Sequence, residues 1–127
     1  MTAVAGAPTL TRWFALIDSD RPEDILDLIA SDFRFSIVFG TGAGQATDFA
    51  GDRAALEGYL RQREKGVLTH HVVSASADGH DELVLGETRR GDVFESTFVA
   101  AARLGADGAV RNLMIGRSPM LELHESD

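Results

Sequence analysis

The chain has no cysteine, so disulfides, thiolate zinc sites and cysteine nucleophiles are excluded. It has no apolar run approaching the roughly 18 residues that span a bilayer. Positive charge is also short: Lys plus Arg is 12 against 20 Asp plus Glu, a formal net charge of −8. Phosphate backbones and anionic membranes need a basic face, so neither nucleic acid nor a membrane is expected as a partner. Met1 to Pro8 lacks a basic start and a long apolar stretch, so it does not read as a signal peptide and a cytoplasmic location is expected. What is there is ordinary for a globular protein: 127 residues, 44% hydrophobic and 25% charged. A chain of this length buries roughly two thirds of the surface it exposes when unfolded. A single domain over 1–127 is expected, with an ordered core at about 9–118 and an acidic tail at 119–127.

Periodicity divides the chain into a helical half and a strand half. Leu10, Trp13, Phe14 and Ile17 share one helix face, with Thr9 or Thr11 as cap. Asp18-Ser19-Asp20-Arg21-Pro22 interrupts the chain, and Pro22 suits the first position of a second helix carrying Ile25, Leu28 and Ile29. From Asp32 to Phe39 the period changes to two, with Phe33, Phe35, Ile37 and Phe39 on one side. Gly40 to Ala50 reads as a glycine-rich loop. Asp52 then caps a helix over Arg53 to Lys65, with Leu56, Tyr59 and Leu60 inward and Gly66 as its stop. Strands follow at Thr69–Ala77, Leu83–Arg89, Val93–Leu104 and Ala109–Ser118, joined by turns at Asp78-Gly79, Arg90-Gly91-Asp92 and Gly105–Gly108. The order α-α-β-α-β-β-β-β indicates an α+β fold with an antiparallel sheet. Helices on one face of a strongly curved sheet would leave a conical hollow suited to a small molecule.

Several segments carry a resemblance. They are Trp13 with the Asp18–Pro22 break, Leu28-Ile29-Ala30-Ser31-Asp32-Phe33, Phe49-Ala50-Gly51, Thr69-His70-His71-Val72 and Asp107-Gly108-Ala109-Val110. Together they span about residues 9 to 118, and in them the chain resembles the nuclear transport factor 2-like superfamily. That superfamily includes SnoaL-like polyketide cyclases, ketosteroid isomerases and scytalone dehydratase. The resemblance implies a cone-shaped α+β barrel, three helices in the N-terminal half against a strongly curved antiparallel sheet. It implies an activity no further than the fold does, because one fold hosts many chemistries.

Ketosteroid isomerases use an aspartate base on the first strand, a tyrosine on the first helix and a protonated aspartate on the penultimate strand. Those places fall here on Ile37, Trp13 and Ala100. Isoleucine cannot carry a proton, so that isomerisation is not expected. Scytalone dehydratase and many SnoaL-like relatives place an inward histidine on the second strand, and the resemblance puts it at His71, with Val73 and Ala75 on the same side. The dehydratase's second histidine and helix aspartate have no evident counterpart. If Ile37 and Ala100 face inward, alternation brings Phe33, Phe35, Ser96 and Phe98 with them.

The expected site is therefore His71 as proton carrier in a pocket lined by Trp13, Ile17, Phe33, Phe35, Ile37, Tyr59, Val73, Ser96, Phe98, Ala100 and Asn112. A side chain with an ordinary pKa of about 6.5 suits proton transfer; a histidine bonded to its neighbours for structure alone is the alternative. His70 and His71 point to opposite strand faces and cannot easily share an ion, so no metal and no cofactor is expected. Asp32, at the strand start, could bond His71 or simply cap. Glu87, Glu95 and Arg103 are expected on the convex face. Gly40-Thr41-Gly42-Ala43-Gly44 has Gln45 where a dinucleotide motif needs its third glycine, so it reads as a lid or rim. The implied function is binding of a small hydrophobic or polycyclic molecule, with lyase, cyclase, dehydratase or isomerase chemistry at His71. The alternative is a non-catalytic binding or dimerisation module, and a homodimer through the open sheet face is the expected assembly.

Overall fold

The computed structural model describes residues 6–40, 46–63 and 67–124. The chain runs through α1 (Pro8–Ile17), a 3-10 helix (Pro22–Leu28), β1 (Ile29–Gly40), β2 (Ala46–Gly51) and α2 (Arg53–Gln62). It continues with β3 (Leu68–Asp78), β4 (Asp81–Arg90), β5 (Val93–Leu104) and β6 (Val110–Ser118). The strands form one six-stranded sheet in the order β2-β1-β6-β5-β4-β3. Every neighbouring pair is antiparallel except β1 and β6, which run parallel. The α+β architecture is as expected, but the sheet is mixed where an antiparallel one was expected. Among the described residues, no helix is long and apolar enough to cross a membrane.

The helices form where the sequence places them, with different ends. α1 buries Leu10, Trp13, Phe14 and Ile17. Its cap is neither Thr9 nor Thr11. Instead the buried Glu82 of β4 accepts the backbone N–H of Leu10 at 2.8 Å and of Thr9 at 3.3 Å. A carboxylate there satisfies orphan donors and meets the positive end of the helix dipole. Pro22 opens the second helix, which is 3-10 rather than α because Ile29 already enters β1. Asp52 caps α2 through Ala55 N–H at 3.2 Å; Gly66 lies outside the described residues. The stretch expected to be loop contains β2 at 46–51, paired with β1 from Phe35↔Gly51 to Gly40↔Ala46; 41–45 lie outside the described residues. Gly79 and Gly91 turn their hairpins at φ +61° and +64°, a region that side chains disfavour.

The concave face of the sheet forms the core. Phe33, Phe35 and Ile37 of β1 and Phe98, Ala100 and Ala102 of β5 pack with Leu113 and Ile115 of β6 against Trp13, Phe14, Ile25 and Leu56. Trp13 lies 6.1 Å from Phe33, and Phe33 stacks on Phe35 at 5.7 Å.

Bulges decide which side chains enter this core, and they overturn part of the expected facing. The β3–β4 register slips between Val72 and Ser74. His70 and Val72 therefore turn inward, while His71 is exposed and Val73 is 50% exposed on the outer face. The expected inward His71–Val73–Ala75 row is thus corrected: only Ala75, beyond the slip, packs on the core. β6 slips against β5 between Arg103 and Leu104, so Arg111 and Asn112 are both exposed, and the expectation of Asn112 on the concave wall fails. A third slip leaves Glu95 as an extra residue between Phe94 and Ser96, which pair with Arg89 and Thr88. It turns the Glu95 carboxylate to Arg90 and Arg117 instead of out on the convex face.

Candidate functional site

The inward histidine of β3 is His70. Its Nδ1 lies 2.7 Å from Asp18 Oδ1, and its backbone N–H donates to Asp18 Oδ2 at 2.6 Å. Asp18 is the C-cap of α1, so the helix end and the strand meet at this pair. The His70 side chain is 7% exposed and the Asp18 side chain 16%. Phe14 stacks on the imidazole at 4.9 Å, and Phe98 meets it edge-on at 5.4 Å. Gly86 makes room for that arrangement: a Cβ there would collide with the Phe98 ring and lie 2.7 Å from the His71 carbonyl oxygen.

A carboxylate only accepts hydrogen bonds, so Asp18 selects the tautomer with the proton on Nδ1. Burial holds the His70 pKa below its ordinary value, opposed by the hydrogen bond and charge of Asp18 and assisted by the charges of Arg117 and Arg63. The ring is then neutral at neutral pH, with a lone pair on Nε2. Among the described residues Nε2 has no hydrogen-bond partner.

A polar row continues across the sheet from His70. Thr88, its register partner on β4, is fully buried and hydrogen-bonded to Ser96. Arg117 of β6 donates weakly to Ser96 Oγ at 3.4 Å and lies 3.7 Å from Glu95 Oε2. Its guanidinium sits 4.3 Å from the centroid of Phe39. Burial lowers the Arg117 pKa, and Arg63 and Arg90 add to this while Tyr59 and Glu95 oppose it.

Of these residues Arg117 lines a cleft of about 310 Å³ at one end of the helix-covered face, with Phe39, Phe49, Tyr59, Gln62, Arg63, Val67, Leu68 and Arg90 as its other walls. Leu68 and His70 share a face of β3, which puts the imidazole one step deeper than the cleft wall. Arg63 donates to the Ile17 carbonyl at 2.8 Å, next to Asp18. Of the residues expected to line a pocket, Tyr59 borders this cleft; Trp13, Ile17, Phe33, Phe35, Ile37, Ser96, Phe98 and Ala100 are buried away from its walls. Asp32 bonds neither His70 nor His71 and pairs with Arg111, whose hydrogen bond and charge hold the Asp32 carboxyl below its ordinary value. Among the described residues, no group of three or more His, Asp or Glu side chains converges as metal ligands would.

No family model matches the sequence, and no curated protein does. Solved structures do match. A SnoaL-like protein of unknown function from Burkholderia thailandensis superposes with a TM-score of 0.66 at 15% identity, covering 92% of this chain and 98% of the other. A candidate isomerase of the SnoaL-like family from Agrobacterium tumefaciens gives 0.64 at 13% identity, covering 87% and 94%. The fold is that of the SnoaL-like, NTF2-like proteins. A de novo designed protein with a curved β-sheet also matches, at TM-score 0.62 and 15% identity over 88% of this chain and 84% of that one. The likeness to a designed protein means that the fold alone names no activity, which has to be argued from side chains.

Sequence reasoning missed Asp18, His70 and Arg117 as site residues. Asp18 reads as part of a helix break. In Leu68-Thr69-His70-His71-Val72-Val73 the only hint of facing is Leu68 against Thr69, since both later positions are valine.

Proposed function

We propose that this SnoaL-like domain binds a small ring-bearing molecule in the Phe39–Tyr59–Arg117 cleft and that His70 moves a proton on it. The observation that carries this reading is the buried His70–Asp18 pair. A neutral imidazole oriented by a carboxylate, with Nε2 unpaired, is the arrangement of a general base. Asp18 would stabilise the imidazolium that forms when Nε2 takes a proton from a C–H acid. Loss of a proton next to a carbonyl is the step shared by isomerase, cyclase and dehydratase chemistry, and it needs no cofactor.

The cleft walls support the binding part. Phe49 meets Tyr59 edge-to-face at 5.0 Å and Phe39 at 6.0 Å, leaving aromatic surface for a planar guest. NMR titration of the isotope-labelled protein with neutral 2-naphthamide tests it. Saturable shifts centred on Tyr59, Leu68, His70 and Arg117 are expected. Absence of saturation, or shifts confined to the outer face of β3–β6, would overturn the reading.

A non-catalytic binding role is the second reading. It is favoured by Asp18 Oδ2, which holds the His70 backbone and so ties α1 to β3 regardless of chemistry. We also propose that two copies pair through the outer sheet face. There Val73, Leu83, Val99 and Met114 are 49–58% exposed, an apolar cluster that a partner sheet would cover.

A further inference from the structure

The cleft holds a cation that the proton-transfer reading does not use. The Arg117 side chain is 15% exposed, in a chain of net charge −8. Among the described residues its only hydrogen bond is the long one from Nε to Ser96, and its only ion pair is Glu95 at 3.7 Å, beyond hydrogen-bond reach. Glu95 Oε2 is itself buried with no hydrogen-bond partner. A guanidinium largely withdrawn from water gains from further acceptors, and its fork of donors matches a carboxylate in bidentate fashion. Among the described residues neither terminal nitrogen of this cleft-lining residue has a hydrogen-bond acceptor. Phe39 lies against the guanidinium and fixes its position. Arg63 on the same wall adds a second positive charge.

We propose that Arg117 receives the carboxylate of a small ring-bearing acid whose ring lies against Phe39, Phe49 and Tyr59. This rests on the cleft being the binding site and adds the class of ligand: an organic anion rather than a neutral polycycle. Glu95 is then the internal competitor that occupies Arg117 when no ligand is bound.

Isothermal titration calorimetry of the full chain with 2-naphthoate and 2-naphthamide tests the inference, since the two probes differ chiefly in charge. The wild type should bind naphthoate about tenfold or more tightly than naphthamide. Arg117→Gln should bring the two within about twofold by weakening naphthoate alone. Glu95→Gln should tighten naphthoate and leave naphthamide unchanged, and it decides the matter if Arg117→Gln does not fold. Equal affinities in the wild type, a preference that survives Arg117→Gln, or naphthoate binding indifferent to Glu95→Gln would each overturn the carboxylate site while leaving the cleft reading intact. Failure of both probes to bind would end the cleft reading and this inference together.

Discussion

Asp18 and His70 lie 52 positions apart in the chain, yet one carboxylate holds both the ring and the backbone of that histidine, at 2.7 and 2.6 Å. The helix end thereby fixes the strand's depth and the ring's tautomer at once. Replacing Asp18 with Asn removes the charge that opposes burial and leaves one acceptor oxygen where the carboxylate has two. The His70 pKa, already below its ordinary value, should fall further. Nitrogen-15 shifts of the imidazole followed against pH would read this, and in the wild type they should place the proton on Nδ1. A rise on Asp18→Asn would refute the account of the pair.

The depressed His70 pKa links stability to pH. The unfolded histidine takes up its proton at about 6.5 and the folded one only at lower pH. Between those values the unfolded state binds more protons, so acid favours it. This contribution is complete above the unfolded pKa and is lost as pH falls toward the folded one. Tm should drop as pH goes from about 7 to 5, and His70→Gln should flatten that segment. The exposed Asp32 and Asp81, lowered by Arg111 and Arg103, act only at more acidic pH.

Gly86→Ala should destabilise by about 1–3 kcal/mol, because the added methyl has Phe98 on one side and the His71 carbonyl on the other. Urea denaturation measures the loss. The imidazole signal of His70 should shift as well, since Phe98 would have to move against it.

Glu82→Ala should cost about 1–3 kcal/mol in the same assay, because it strips the cap from α1 and leaves buried N–H groups without an acceptor. A loss below about 0.5 kcal/mol would show that water replaces the carboxylate there.

The proposed pairing of copies is checked by sedimentation. The wild type should run as a dimer and Met114→Glu as a monomer, with an unchanged circular dichroism spectrum. A monomeric wild type at high micromolar concentration would remove that part of the proposal.

Much of the fold was legible because single-faced alternation is a strong signal. Phe33, Phe35 and Ile37 are inward as their period requires, and Leu10, Trp13, Phe14 and Ile17 form one buried helix face. β2 was illegible: within Ala46–Gly51, Phe49 is the only large apolar residue, and the preceding glycines mimic a loop. The parallel contact between β1 and β6 leaves no mark on local periodicity. The site was lost to a single displaced residue. The resemblance put His71 inward in one row with Val73 and Ala75, but a bulge changes strand facing without changing composition, and with the slip at Val72–Ser74 it is His70 that faces in with Ala75. Asp18 was hidden for another reason, since its partner lies far along the chain.

The position of β6 between β1 and β5 bears on how the molecule is made. Val110–Ser118 is the last of the six described strands in chain order, yet it is the seam of the sheet. Without it, the β1–β2 ribbon and the β3–β5 meander share no strand pairing, and each presents a raw edge. Arg117 rides on that final strand, so the nascent polypeptide would carry the Asp18–His70 pair before it gains its guanidinium.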